Sequence, residues 1–195
     1  MEKTLFLESG SVYHIYNRGT NKQTIFITKK DYNHFLSLWE KHIEPVADTF
    51  AFCLLPNHFH FMVKIKEITD LTQLPKAAEL NESDIKYYLS RQFSNLFNAY
   101  SRYFNLKYER DGKVFRERFK RKEVLTEEYF TKLIEYIHTN PVKHGITDNY
   151  KDYEYSSFWI HVLDTPTRLK RDEIIKWYGS KSRYINSHDT YEVVK

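Results

Sequence analysis

One cysteine, five glycines and five prolines are all that the 195 residues contain. A lone Cys53 excludes an intramolecular disulfide and a cysteine-based zinc site, and it suits a reducing compartment. So few glycines and prolines exclude a long low-complexity tract and point to a chain of regular elements. No run is long or apolar enough to span a membrane. The opening MEKTLFLESG has no apolar stretch of signal-peptide length, so a cytoplasmic location is expected. Strong charge of one sign is also lacking, since the net charge is only +4. It is uneven, however. Arg102 to Lys122 carries nine basic and three acidic residues, a local +6, which leaves the remainder at −2. A mildly acidic body with one basic segment suggests an anionic partner met at one place.

Aromatic residues are abundant: 16 Tyr, 14 Phe and 3 Trp. The length suits one domain with a sizeable core and an appendage. SVYHIYNR, Ser11 to Arg18, alternates and is rich in β-formers, so it predicts a strand in which Val12, His14 and Tyr16 share a face. Thr28 is a candidate N-cap, with Asp31 in the first turn of a helix over Lys29–Ile43. Thr49–Leu55 reads as a second strand, hairpin-paired to a third after Pro56-Asn57. Lys66–Asn81 reads as polar and irregular. Ser83 is a candidate cap for a helix over Asp84–Asn105. Asp111-Gly112 suggests a ribbon or extended loop. Thr126 heads a further helix with Phe130, Leu133, Ile134 and Ile137 as its buried stripe, ending near Asn140 because Pro141 follows. Asp172–Tyr178 reads as a short helix, and the last dozen residues as loose.

The stretch that stands out is LLPNHFHFMVKI, Leu54 to Ile65. In a strand, residues two apart share a face. Phe59, Phe61, Val63 and Ile65 then face a core, while His58, His60, Met62 and Lys64 face the other way. Histidines paired in a strand are ordinarily just hydrogen-bonded polar groups, yet two imidazoles side by side also make half of a metal site. On the later helix, Tyr136 lies at the flank of the apolar stripe and Asn140 follows one turn on. If that helix packs on the strand, a divalent cation held by His58, His60 and Asn140 polarises a phosphodiester for attack by Tyr136. Mg²⁺ or Mn²⁺ suits phosphate chemistry, and manganese accepts imidazole more readily. A half-buried helix tyrosine with its hydroxyl in water is the plainer alternative for Tyr136.

These residues carry a resemblance. PNHFHFMV resembles the HUH motif (His, apolar, His) of single-strand DNA endonucleases. EYIHTNPVKHG with the later YSSF is similar to the helix and turn of REP-associated tyrosine transposases and their single-tyrosine relatives, as are YHIYNRG and VFRERFK. The matches run in order from Val12 to Phe158. The resemblance implies an α+β fold, a central antiparallel sheet with helices packed against it, ferredoxin-like. It implies a transposase domain over residues 1–163, with 164–195 as a C-terminal extension. It implies Tyr136 as nucleophile and His58, His60 and Asn140 as metal ligands. The activity implied is cleavage of single-stranded DNA beside a hairpin through a 5′-phosphotyrosine, leaving a 3′-hydroxyl, followed by strand transfer. The working unit is a monomer or a homodimer.

The basic segment is the expected DNA surface. Arg110, Lys113, Arg116, Arg118, Lys120, Arg121 and Lys122, with Arg18 from the first strand, would pair with phosphates, and Tyr108, Phe115 and Phe119 would stack bases. Two other readings stay open: a non-cutting, domesticated sequence- or hairpin-specific DNA-binding protein, and an H-x-H phosphodiesterase of small nucleotides. His14 reads as a core or supporting histidine, and His138 and His144 have no assigned role.

Overall fold

The computed structural model describes residues 6–71, 73–74, 80–116 and 118–191. Strands β1 (Val12–Arg18), β2 (Ala47–Leu55), β3 (His58–Ile65) and β4 (Lys120–Glu123) form, among the described residues, one four-stranded antiparallel sheet in the order β2-β3-β1-β4. Helix α1 (Lys29–His42) connects β1 to β2. A short α2 (Ile68–Leu71) and a long α3 (Glu82–Lys107) connect β3 to β4. With α2 set aside, this is the βαββαβ order of the ferredoxin-like motif. After β4 come α4 (Glu127–Lys143), α5 (Phe158–Val162), α6 (Arg171–Tyr178) and α7 (Lys181–Thr190). The α+β expectation, with helices packed on an antiparallel sheet, is what the chain adopts.

The period-two alternation of the strands gives the sheet two apolar faces. One carries Tyr13, Ile15, Phe59, Phe61, Val63 and Ile65, buried against Tyr32, Phe35 and Trp39 of α1 and Leu89, Phe93 and Leu96 of α3. Trp39 stacks on Phe61 with ring centroids 3.5 Å apart. Each fully buried ring of this kind contributes about 1.5–3 kcal/mol. The other face carries Ala51, Cys53, Leu55 and Met62 and is covered by Leu133, Ile134 and Ile137 of α4. Residues from the C-terminal helices, Ile174, Tyr178 and Tyr184, complete that second core. The free edge of β2 is closed by the segment before α5, where Leu54 donates to Tyr155 and Phe52 to the Ser157 hydroxyl.

Several boundaries differ from expectation for local reasons. Thr28 and Asp31 form a capping box at α1, as expected. Helix α3 is capped by Asn81, whose side chain accepts from Asp84 N, two residues before the expected Ser83 cap. Thr126 caps α4 by accepting from Tyr129 N. That helix does not stop at Asn140 but runs through Pro141 to Lys143. Proline removes one backbone donor. In the turn before it, the Thr139 hydroxyl and the Asn140 amide donate back to the carbonyls of Glu135 and Tyr136. Residues 111–112 do not turn a hairpin; the chain reaches β4 as an irregular segment. The tail is not loose as far as Tyr191: Tyr184 and His188, four apart on α7, are both buried. Residues 192–195 lie outside the described residues.

Candidate active site

The strand register decides which side chains meet. Across the sheet, Cys53, His60, Tyr16 and Lys120 lie in one row, and Leu55, His58 and Arg18 in the next. His14 faces Met62 on one side and Lys122 on the other. All of these belong to the face that α4 covers. The helix puts Tyr136 against the same spot, its ring centroid 5.4 Å from that of His60 and 6.1 Å from that of His14. His58 lies 5.2 Å from His60 and 4.6 Å from His144, edge to face in both cases. The result is a cleft of about 650 Å³ that has His58, His60 and Tyr136 in its wall, with Arg18, Arg118 and Lys120 around it.

Electrostatics keep the imidazoles neutral. Burial, with His144 and Arg18 adding to it, lowers the His58 pKa to about 4. Burial and neighbouring histidines hold His60 well below its usual value, and burial together with Lys122 takes His14 to about 3. Neutral imidazoles are the form that ligates metals. Burial pushes the Tyr136 phenol up, while the Asn140 amide pulls it partly back. The Lys143 ammonium sits 5.2 Å from the Tyr136 ring centroid.

Among the described residues, no three His, Cys, Asp or Glu side chains gather into a metal-holding cluster. A third protein donor must then be of another type. Nε2 of His60 and Oδ1 of Asn140 are both buried without a hydrogen-bond partner. Such orphans are rare in a folded interior. Two of the three expected ligands thus present unpartnered polar atoms, and His58 lines the cleft itself. By donor type, imidazole nitrogen and amide oxygen suit a divalent cation of the manganese type, but Asn140 is not among the residues that line the cleft with His58 and His60.

The expected DNA-contacting residues divide. Arg18, Arg116, Arg118 and Lys120 line the cleft. Lys122 is on the same sheet face, its ammonium 4.4 Å from the Tyr129 ring centroid. Arg121, between the two lysines, points to the opposite face, lies 4.2 Å over Phe119 and donates to Ser90 of α3. With Lys113, Arg116 and Arg118 it lines a separate groove beside α3. Arg110 is turned away, bonded to Gln23 and packed on Phe104. The base-stacking expectation for the aromatics is corrected. Phe115 and Phe119 are buried in the core, and the Tyr108 hydroxyl donates to Asp31. Burying these rings in the core, rather than exposing them to bases, removes apolar surface from water.

Tyr16, Asn17, Lys22, Asn57 and His144 also line the cleft, and the sequence assigned none of them a role there. Tyr16 could have been found from its place two residues after His14 in the alternating strand. His144 needed the extra helical turn past Pro141. His138 faces away from Tyr136: it bonds His188 and Ser157 in the second core.

No family model matches the chain. It is 32% identical over 130 residues, 65% of this chain and 68% of its relative, to a protein of Haemophilus influenzae named "Putative REP-associated tyrosine transposase". Its fold is similar to that of a solved structure described as "Structure of the REP associates tyrosine transposase bound to a REP hairpin". The TM-score is 0.56 at 16% identity, over 85% of this chain and 88% of that one. On the strength of the Haemophilus influenzae relative, this chain belongs to the family of REP-associated tyrosine transposases.

Proposed function

We propose that the protein cuts and rejoins single-stranded DNA at a hairpin, with Tyr136 as the nucleophile. The observation that carries the reading is the meeting of the Tyr136 ring with His60 and His58 in a cleft bordered by Arg18, Arg118 and Lys120. The hairpin bound in the solved relative supports the choice of substrate. In the cutting step, the phenolic oxygen forms a bond to phosphorus and the bond to the 3′-oxygen breaks. That oxygen leaves with a proton as a 3′-hydroxyl, and the phenol's own proton passes to solvent or a base. Attack by the 3′-hydroxyl of another strand reverses the step, so the phosphodiester energy is conserved.

His58 and His60 would hold Mg²⁺ or Mn²⁺ through ring nitrogens, and Asn140 through its amide oxygen. Such a cation, when bound, neutralises charge on the phosphoryl oxygens and favours the ionised phenol. Arg18, Arg118 and Lys120 hold the DNA backbone beside the cleft. We assign the chemistry to residues 1–163 and treat 164–195 as an extension, whose helices α6 and α7 brace α4. A DNA substrate agrees with the cytoplasmic location expected from the sequence.

The test is a labelled single-stranded hairpin from the gene's own flanks, incubated with Mn²⁺ and run on a denaturing gel. A protein–DNA adduct is expected from the wild type and none from Tyr136→Phe, with hairpin affinity retained. An adduct formed by the phenylalanine variant would remove Tyr136 from its role. Binding with no adduct from the wild type would point instead to a domesticated binder.

A further inference from the structure

We infer that His14 is a positioning residue that fixes the tautomer of His60, leaving the lone pair of His60 Nε2 for a ligand. The inference rests on the reading of His60 as a metal ligand.

A neutral imidazole has one N–H and one lone pair, and which nitrogen bears the proton is set by what the other one meets. Nδ1 of His60 lies 2.8 Å from Nε2 of His14 in a buried contact. The rings are stacked, with centroids 5.0 Å apart. Nε2 of His60 meets no partner at all. Two neutral arrangements satisfy the contact. In one, His60 donates from Nδ1 to His14, and its Nε2 keeps a lone pair. In the other, His14 donates, and His60 carries its proton on Nε2, where nothing accepts it. The second buries an unsatisfied donor and closes the atom to any cation; the first offers that atom as a ligand.

Ligating histidines usually give their second N–H to a carboxylate, a backbone carbonyl or water. Among the described residues, His60 Nδ1 meets no carboxylate or backbone carbonyl; the imidazole of His14 takes that place. His14 is nearly inaccessible to water beside Lys122 of the β1–β4 ladder, and its contact with His60 is buried. The same contact fixes the plane of the His60 ring beside Tyr136.

The experiment reads the protonation pattern before any metal is added. Long-range ¹H–¹⁵N spectra of histidine-labelled, metal-free protein near neutral pH should show His60 protonated at Nδ1 and bare at Nε2. Mn²⁺ binding, followed by electron paramagnetic resonance, should weaken about 10- to 100-fold in His14→Phe. His14→Gln, which keeps an acceptor, should restore it. A wild-type His60 bearing its proton on Nε2 overturns the inference, whether or not the variants fold. So does wild-type Mn²⁺ affinity in folded His14→Phe, in which case the cation reading itself stands. Absence of Mn²⁺ binding by the wild type would bring down both together.

Discussion

Asp31 is fully buried in a fold whose other acids are mostly at the surface. Its carboxylate accepts from Lys107, Tyr103 and Tyr108, and from the backbone of Ile27 and Thr28. Burial alone would raise its pKa, but the Lys107 and Tyr108 hydrogen bonds, with the backbone donors, hold it well below the usual range. It ties the start of α1 to the end of α3. Removing one partner of a buried, bonded pair leaves the other uncompensated, so Asp31→Ala should cost about 3–5 kcal/mol in urea unfolding. A loss below about 1 kcal/mol, the size of an ordinary cap, would deny it that role. The sequence showed Asp31 only as a first-turn acid, because Tyr103, Lys107 and Tyr108 lie more than seventy residues away. His58, His60 and Tyr136 were legible, since period two and helical spacing fix which way each points. The His14–His60 bond was not, because it crosses strands whose register cannot be read from either one.

The strands and long helices follow from their apolar periodicity, and β1 spans the residues that alternation suggested. The segment between α3 and β4 had no period to read. Its aromatics turned inward, and only its last four residues joined the sheet. Strand alternation then splits its charges, with Lys120 towards the cleft and Arg121 away from it. Arg118→Ala and Lys120→Ala should each flatten the salt dependence of hairpin affinity by about one unit of log–log slope. Arg110→Ala, whose guanidinium is bonded to Gln23, should leave that slope unchanged. Fluorescence anisotropy across a salt series measures all three. Equal effects at Arg110 and Lys120 would mean that DNA lies along the whole segment.

The molecule as a whole is held on its second face by a buried histidine cluster. His138 bonds both His188 and Ser157, His161 lies beside them, and Tyr184 packs against all three histidines. Burial holds His138 well below its usual pKa and takes His161 to about 3 and His188 to about 4. Each folded value is lower than the unfolded value near 6.5. The stabilisation is therefore complete above that pH and is lost as pH falls from about 6.5 towards 4, because the unfolded chain binds protons that the native one refuses. Near-UV circular dichroism of the aromatic residues should fade over that interval, before the backbone signal goes. A flat near-UV spectrum down to pH 4 would show that the cluster is not linked to stability. Among the described residues, no helix is long and apolar enough to cross a membrane.

Helix α4 lies on the sheet of its own chain, so phenol and imidazoles arrive in one cleft by intramolecular folding alone. A single copy of the chain therefore gathers, by its own folding, the phenol and imidazoles on which the proposed cut depends.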